Sequence, residues 1–255
     1  MNIKRQNTSI NTSSTAAMQR QLAWAAGICF LITHVTSVGA AALYAPVLNN
    51  ADYLMSSGAD IQILCGALLE VILAITVIGT GVALFPVAKK QNEGGALGYM
   101  ALRTLEAGII IVGILPLLAL VSLRQFALTS STDPATMLAI SKALVVFHNW
   151  TFILGPGLVC AANTTVMAYL LYRSRFVPRL IPTLGLIGAP LIFALNTAQL
   201  FGIFEQIPAW AAIAVLPIFT WEVSLAIWLI VKGFKAAALA PTAVTSAANE
   251  QLSAA

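Results

Sequence analysis

Six long runs of apolar residues, separated by short polar segments, account for most of the chain. They span residues 22–48, 61–87, 98–123, 145–172, 180–204 and 210–231. Each run reaches the roughly 20 residues that a helix needs to cross about 30 Å of hydrocarbon. The runs are continuously apolar and lack the alternation of a membrane-spanning strand. The pattern therefore predicts an all-α integral membrane bundle of six transmembrane helices.

The composition agrees with this interpretation, because 59% of the residues are hydrophobic and only 9% are charged. The six runs use most of the 255 residues, so no soluble catalytic domain is expected. Residues 1–20 are rich in Ser, Thr and Asn and show no apolar periodicity, which predicts a disordered cytoplasmic tail. We expect residues 21–234 to form the six-helix membrane domain and residues 235–255 to form a flexible cytoplasmic tail.

The basic residues are distributed unequally between the two sides of the predicted bundle. The side that holds the N-terminus carries ten of the 13 lysines and arginines: Lys4, Arg5, Arg20, Lys89, Lys90, Arg173, Arg175, Arg179, Lys232 and Lys235. The opposite side carries Arg124 and Lys142. Under the positive-inside rule, this bias predicts that both the N- and C-termini are cytoplasmic. The net charge of +4 therefore reflects topology, and no nucleic-acid partner is expected.

Four ionisable residues fall inside the predicted crossings, where each costs about 2.5–3.5 kcal/mol to insert. They are Glu70, Arg103, Glu106 and Glu222. Counting about 1.5 Å per residue along a helix places all four in the middle or inner half of the membrane. Arg103 and Glu106 share one helical face at a spacing of i, i+3. We interpret the four as candidate ligand- or ion-binding residues, with a structural ion-pair network as the alternative.

The charge count predicts how these four residues pair. Arg103 is expected to contact Glu106, Glu70 or both, with Glu70 favoured over Glu222 as a second partner, because an unpaired guanidinium at this depth is costly. Three glutamates against one arginine leave a net charge of 1 − 3 = −2. At least one glutamate is then protonated, or the site holds a cation. We assign this role to Glu222, which has no basic residue near it in the sequence.

Four further polar residues are secondary candidates: His34, His148, Asn149 and Asn163. The two histidines differ in predicted depth by roughly a third of the bilayer, which argues against a shared haem. Neither histidine follows a glutamate by three residues, the spacing of di-iron bundles. The sequence also contains no catalytic triad, phosphate-binding loop or metalloprotease motif. We therefore expect no metal and no cofactor, and we assign no catalytic residue.

Three short motifs add local detail. The Thr-Asp-Pro motif at 132–134 predicts a helix start with proline at the first helical position. The Gly-Pro-Gly motif at 155–157 predicts a kink in the fourth crossing, because its proline cannot donate a hydrogen bond to the Phe152 carbonyl. The sextet EVILAI that begins at Glu70 nearly repeats as EVSLAI at Glu222, so both glutamates have a similar predicted depth.

Several blocks of the chain carry a resemblance to a known family. In chain order they are LLEV at 68–71, RTLEA at 103–107, HNWTFILGPG at 148–157, YRSRFVPR at 172–179 and WEVSLAIWLIVKGF at 221–234. They resemble the blocks of a bacterial integral-membrane family catalogued only as domain of unknown function 4386. The resemblance covers residues 22–234 and departs from the family pattern at Ala226, where glycine is expected. It implies a six-crossing bacterial inner-membrane protein and brings no assigned activity.

The leading hypothesis is a membrane protein whose buried Glu/Arg cluster binds or transports a proton, a cation or a small polar ligand. The first alternative is a membrane-embedded enzyme that acts on a lipid or isoprenoid, with a glutamate as general acid or base. The second alternative is a helper subunit whose ion-pair core is purely structural. The lipid bilayer is the expected partner, and the sequence leaves open whether the chain also forms a homo-oligomer or binds another membrane protein. The expected location is the bacterial cytoplasmic (inner) membrane.

Overall fold

The structure is a computed structural model that describes residues 2–49, 60–127, 133–203 and 212–235. In the first of these ranges the side chains are described from residue 15 onward, and in the last range from residue 213 onward. The described residues form seven α-helices and no strand. The helices are α1 (Asn2–Leu48), α2 (Asp60–Ala88), α3 (Glu93–Ala127), α4 (Pro134–Phe152), α5 (Cys160–Ser174), α6 (Leu180–Leu200) and α7 (Ala212–Val231). A π-helical segment, Ile153–Val159, joins α4 to α5 without a break.

Six stretches of the described chain are long and apolar enough to cross a membrane. Helices α4 and α5, with the π-helical segment between them, make up a single stretch, Pro134–Ser174. The other five stretches correspond to α1, α2, α3, α6 and α7. The prediction of an all-α bundle with six crossings is therefore confirmed, and the chain is a multi-pass membrane protein. The predicted limits of the last two runs, at residues 204 and 210, lie outside the described residues.

The crossings are arranged as a closed ring. Helix α1 packs on α2, α2 on α3, α3 on α4 and α5, α5 on α6, α6 on α7, and α7 returns to α1. At the end where α7 terminates, one large apolar core joins α1, α2, α3, α5, α6 and α7 around Trp221 and Tyr99. At the opposite end, a smaller core around Tyr44 and Leu117 joins only α1 to α4. Helices α6 and α7 therefore pack less closely against the rest of the ring in this second half.

Glycines bring α7 close to both of its neighbours. A Cβ atom built on Gly188 of α6 would lie 2.6 Å from the backbone nitrogen of Ile218 in α7. A Cβ atom on Gly27 of α1 would lie 2.7 Å from the carbonyl oxygen of Ala226, which also belongs to α7. Larger side chains at these two positions would overlap backbone atoms. Small residues at such crossings allow tight van der Waals packing between membrane helices, and here they fix the position of α7, which carries Glu222.

Helix α1 continues back to Asn2, through the segment 1–20 for which a disordered tail stays a prediction. Gln19 is buried, and Arg20 donates from Nη2 to the carbonyl oxygens of Ile230 at 2.8 Å and Val231 at 3.3 Å. The last carbonyls of a helix have no partner within the helix, so Arg20 caps the end of α7. The predicted tail at 235–255 lies outside the described residues except for Lys235.

Two local predictions can be compared directly with the structure. Helix α4 begins where predicted, with Pro134 in the first turn and the Asp133 carboxylate accepting from the backbone N–H of Thr136 at 3.1 Å. The hydrogen bonds from Thr136 hold the pKa of Asp133 below its usual value. The predicted irregularity around Pro156 takes the form of the π-helical segment. Because proline has no amide hydrogen, the regular α-helical hydrogen bonds cannot continue through this position.

Candidate functional site

A cavity of about 470 Å³ lies inside the helical ring. Residues from all seven helices and from the π-helical segment line its wall. Of the eight residues proposed from the sequence, seven are in this wall: Glu70, Arg103, Glu106, Glu222, His34, His148 and Asn149. The eighth, Asn163, is fully buried and hydrogen-bonds to Glu106. The structure thus brings the predicted polar residues to one place, although they come from six different helices.

The guanidinium of Arg103 is the most highly connected group in the site. Its Nη1 donates to Oε2 of Glu106 at 3.1 Å, its Nη2 to Oε1 of Glu222 at 3.3 Å, and its Nε to the hydroxyl of Tyr99 at 3.1 Å. The guanidinium carbon also lies 5.3 Å from the ring centroid of Phe30, within the range of a cation–π contact. All three nitrogens are therefore engaged, and only 4% of the residue is exposed.

Asn163 connects this network to α5. Its Nδ2 donates to Oε2 of Glu106 at 2.7 Å, and this is the same oxygen that accepts from Arg103. An oxygen that accepts two hydrogen bonds, one of them from a guanidinium, is best matched by an ionised carboxylate. Arg103 and Glu106 therefore form a buried ion pair that a neutral amide reinforces. We refer to Arg103, Glu106, Glu222, His34 and Asn163 together as the arginine centre.

The contacts of His34 determine where its protons lie. Its Nδ1 is 2.9 Å from the carbonyl oxygen of Phe30, and its Nε2 is 3.4 Å from Oε2 of Glu222. A carbonyl can only accept, so Nδ1 carries a hydrogen. The other ring nitrogen, Nε2, faces the Glu222 carboxyl group, so His34 and Arg103 both lie beside Glu222.

These contacts correct the predicted pairing of the site. The expectation that Glu70 is the second partner of Arg103 is wrong, because Glu222 occupies that place. Arg103 forms ion pairs with both Glu106 and Glu222, and His34 also contacts Glu222. The assignment of Glu222 as the protonated carboxyl stays a prediction. The carboxylate left over is Glu70.

Glu70 belongs to a second polar group in the same cavity. Its Oε2 accepts from the hydroxyl of Tyr44 at 3.0 Å. The Tyr44 ring in turn meets the His148 ring edge-to-face, with centroids 5.5 Å apart. Nδ1 of His148 lies 2.9 Å from the carbonyl oxygen of Gly113, so this nitrogen is also protonated. We refer to Glu70, Tyr44 and His148 as the Glu70 group.

Sequence reasoning missed two residues that complete these groups. Tyr44 and Tyr99 each supply a hydroxyl inside a crossing, to Glu70 and to Arg103 respectively. Tyrosine in an apolar run is compatible with ordinary core packing, so the sequence offered only a weak signal. For Tyr99 that signal was its position four residues before Arg103, which places both on one helical face. For Tyr44 there was no such signal, because its partner lies on another helix.

The fold and the site together define a helical, multi-pass membrane protein with a polar cavity at its centre. The chain belongs to the family described as Domain of unknown function (DUF4386), whose model matches residues 25–233. The matched range includes every residue of the arginine centre and of the Glu70 group. No curated protein and no solved structure matches the chain.

The first test concerns the buried ion pair. Glu106→Gln keeps the shape of the side chain but removes the negative charge beside Arg103, so we expect a loss of about 3 kcal/mol in unfolding free energy. Unfolding by SDS in mixed micelles measures this change. Glu93→Gln is the matched control, because the Lys89–Glu93 pair is exposed and such pairs contribute about 0.5 kcal/mol. Equal losses in the two variants would contradict the assigned role of Glu106.

The second test concerns the histidine protons. The chain has only two histidines, and both place Nδ1 against a backbone carbonyl. In protein labelled with ¹⁵N-histidine, we therefore expect solid-state NMR at neutral pH to show a protonated Nδ1 in both rings. His34→Phe removes one set of signals and so assigns the other to His148. A neutral ring with an unprotonated Nδ1 would contradict the contacts described above.

Proposed function

We propose that the central cavity binds a proton, a cation or a small polar ligand within the membrane. The observation that carries this proposal is the cavity itself, which has carboxylates from three helices and one arginine in its wall. Its volume falls in the range of about 300–1,000 Å³ that is usual for small-molecule sites. Its wall combines an apolar majority with a few polar groups, which is the usual composition of such sites.

The electrostatics of the wall support a positively charged ligand. The wall holds three carboxyl groups and one guanidinium, and the Arg103–Glu106 ion pair balances the guanidinium charge. Ionised carboxyl groups beyond this pair would leave the cavity negative, and a negative cavity attracts a cation. In this proposal Arg103 holds the carboxylates in place and does not itself bind the ligand.

The third test measures ligand binding through thermal stability. A ligand that binds only the folded protein raises its melting temperature by mass action. We expect at least one member of a panel of Na⁺, K⁺, choline, tetramethylammonium and tetraphenylphosphonium to raise the melting temperature of the purified protein. Ionic strength is matched with N-methylglucamine chloride. Ala41→Phe should abolish the shift by filling the cavity, because Ala41 lines it.

Ala42→Phe provides the matched control for this experiment. Ala42 is the next residue on α1 and is also exposed, but it lies outside the cavity wall. The melting shift should therefore persist in Ala42→Phe. If no member of the panel shifts the wild-type protein, the binding proposal fails. The arginine centre would then be assigned the structural role of a helper subunit.

A second candidate function is a membrane-embedded enzyme acting on a lipid or isoprenoid. The observation that favours it is the contact between His34 and Glu222, which places a proton donor and acceptor side by side in the cavity wall. Exposed apolar wall residues, among them Val38 and Phe219, would admit a substrate from the surrounding hydrocarbon. A general acid–base pair contributes to catalysis when it lies within reach of the reacting proton. Chemical change in a lipid incubated with the wild-type protein, absent in Glu222→Gln, would favour this function.

The fourth test concerns location and orientation. We propose that the protein lies in the bacterial cytoplasmic membrane with both termini inside, on the basis of its charge distribution. In a background without native cysteines, Lys89→Cys should react with an impermeant maleimide only after the cells are opened. Lys142→Cys, predicted on the opposite side, should react in intact cells. The reverse pattern of labelling would overturn this orientation.

A further inference from the structure

Glu70 is the carboxylate of the cavity that has no basic partner in the described part of the chain. The ion pairs there engage Glu106, Glu222, Glu93 and Asp60, and none of them involves Glu70. The contact that Glu70 does make is the hydrogen bond from the neutral hydroxyl of Tyr44. A carboxylate oxygen can accept more than one hydrogen bond, so Glu70 keeps acceptor capacity for a ligand.

Apolar and aromatic side chains accompany Glu70 in the cavity wall. Leu73 and Val77 follow it along the same face of α2 and also line the cavity. The ring of Tyr44 lies beside Glu70, and the rings of Phe152 and Phe219 line other parts of the wall. Aromatic faces attract cations within about 6 Å, and this attraction increases where water is excluded. A carboxylate in a cavity with aromatic rings in its wall is suited to an organic cation that carries an apolar body.

The exposed part of the cavity wall has the same apolar character. Several wall residues are substantially exposed, including Val38 at 64%, Phe152 at 48%, Phe219 at 44% and Val215 at 41%. They lie on α1, α4 and α7, inside the stretches that can cross a membrane. Exposed apolar wall residues at this position favour a ligand that partitions into hydrocarbon over one that approaches in water.

Other classes of ligand fit these residues less well. The described residues contain no group of three or more His, Cys, Asp and Glu side chains that could hold a metal ion. Hard cations such as Ca²⁺ require about six to eight oxygen ligands, whereas Glu70 and Tyr44 offer one carboxylate and one hydroxyl. An anion would face Glu70 directly, while the charge of Arg103 is already balanced by its ion pair with Glu106.

We propose that Glu70 is the counter-ion for a hydrophobic organic cation, an ammonium or phosphonium group on an apolar body, held in the cavity with Tyr44 and the aromatic wall. This inference rests on the proposed function and specifies its ligand class. The cationic head lies beside the Glu70 carboxylate, and the apolar body extends toward exposed apolar residues of the wall such as Val38 and Phe152. The charge of the cation is then balanced by Glu70 and not by the carboxyl groups of the arginine centre.

The fifth test uses tetraphenylphosphonium as the probe and tetraphenylborate, of similar shape and opposite charge, as its control. We expect saturable binding of radiolabelled tetraphenylphosphonium to the wild-type protein in phosphatidylglycerol nanodiscs, and no saturable binding of tetraphenylborate. Glu70→Gln should weaken the binding at least about tenfold, because it removes the counter-charge. Glu70→Asp, which keeps the charge, should bind more tightly than Glu70→Gln. Glu93→Gln, an exposed site outside the cavity wall, should bind like the wild type.

Tyr44→Phe provides a second variant with little effect on shape. It removes only the hydroxyl that orients the Glu70 carboxylate, so binding should weaken by less than it does in Glu70→Gln.

Adding phosphatidylethanolamine to the nanodiscs then distinguishes the source of the cation. Competition with the probe assigns the site to an aminolipid headgroup, and lack of competition assigns it to a free hydrophobic cation. Both results support an organic cation at Glu70.

Equal affinity of the wild-type protein and Glu70→Gln for tetraphenylphosphonium would overturn the inference. Loss of binding in Glu222→Gln, with binding kept in Glu70→Gln, would also overturn it by placing the cation at the arginine centre. If tetraphenylphosphonium does not bind but another member of the thermal panel still shifts the melting temperature, only the role of Glu70 fails. If neither measurement detects a ligand, the proposed function fails as well.

Discussion

The arrangement of the bundle depends on satisfying the buried guanidinium of Arg103. A charge held away from water is strongly unfavourable unless it is paired and hydrogen-bonded. Arg103 obtains these partners from Glu106 and Tyr99 on its own helix and from Glu222 on α7. Helix α7 therefore has to present Glu222 at a fixed depth and rotation. The glycine contacts that draw α7 against α1 and α6 provide the matching backbone geometry.

The same constraint explains how much of the site could be predicted from the sequence. Continuous apolar runs establish the number of crossings, and the cost of burying charge requires that intramembrane ionisable groups converge. The Arg103–Glu106 pair was predictable because both residues lie on one helical face. The second partner of Arg103 could not be predicted, because the depth of a residue along its helix does not show which neighbouring helices that helix faces. Glu70 and Glu222 begin nearly identical sextets, yet α2 and α7 occupy different positions in the ring.

The division of the cavity into two polar groups was likewise hidden in the sequence. It depends on tyrosine hydroxyls and on backbone carbonyls, neither of which has a distinctive pattern in an apolar run. The contact that Arg20 makes was hidden for a related reason. Residues 1–20 have the composition of a disordered tail, but Arg20 finds its partners at the end of α7, more than 200 residues away. Local composition cannot reveal a contact of this kind.

The π-helical segment between α4 and α5 also sets the register of the site. On a continuous α-helix, the 12-residue step from His148 to Cys160 would leave the two side chains about 120° apart around the axis. Both residues line the cavity. The amide of Cys160 donates to the carbonyl of Gly155, five residues back, and such wider turns rotate the chain less per residue. Removing one residue here would turn α5 by about 100° and carry Asn163 away from Glu106. The length of this crossing is therefore under a stricter constraint than the identity of most of its residues.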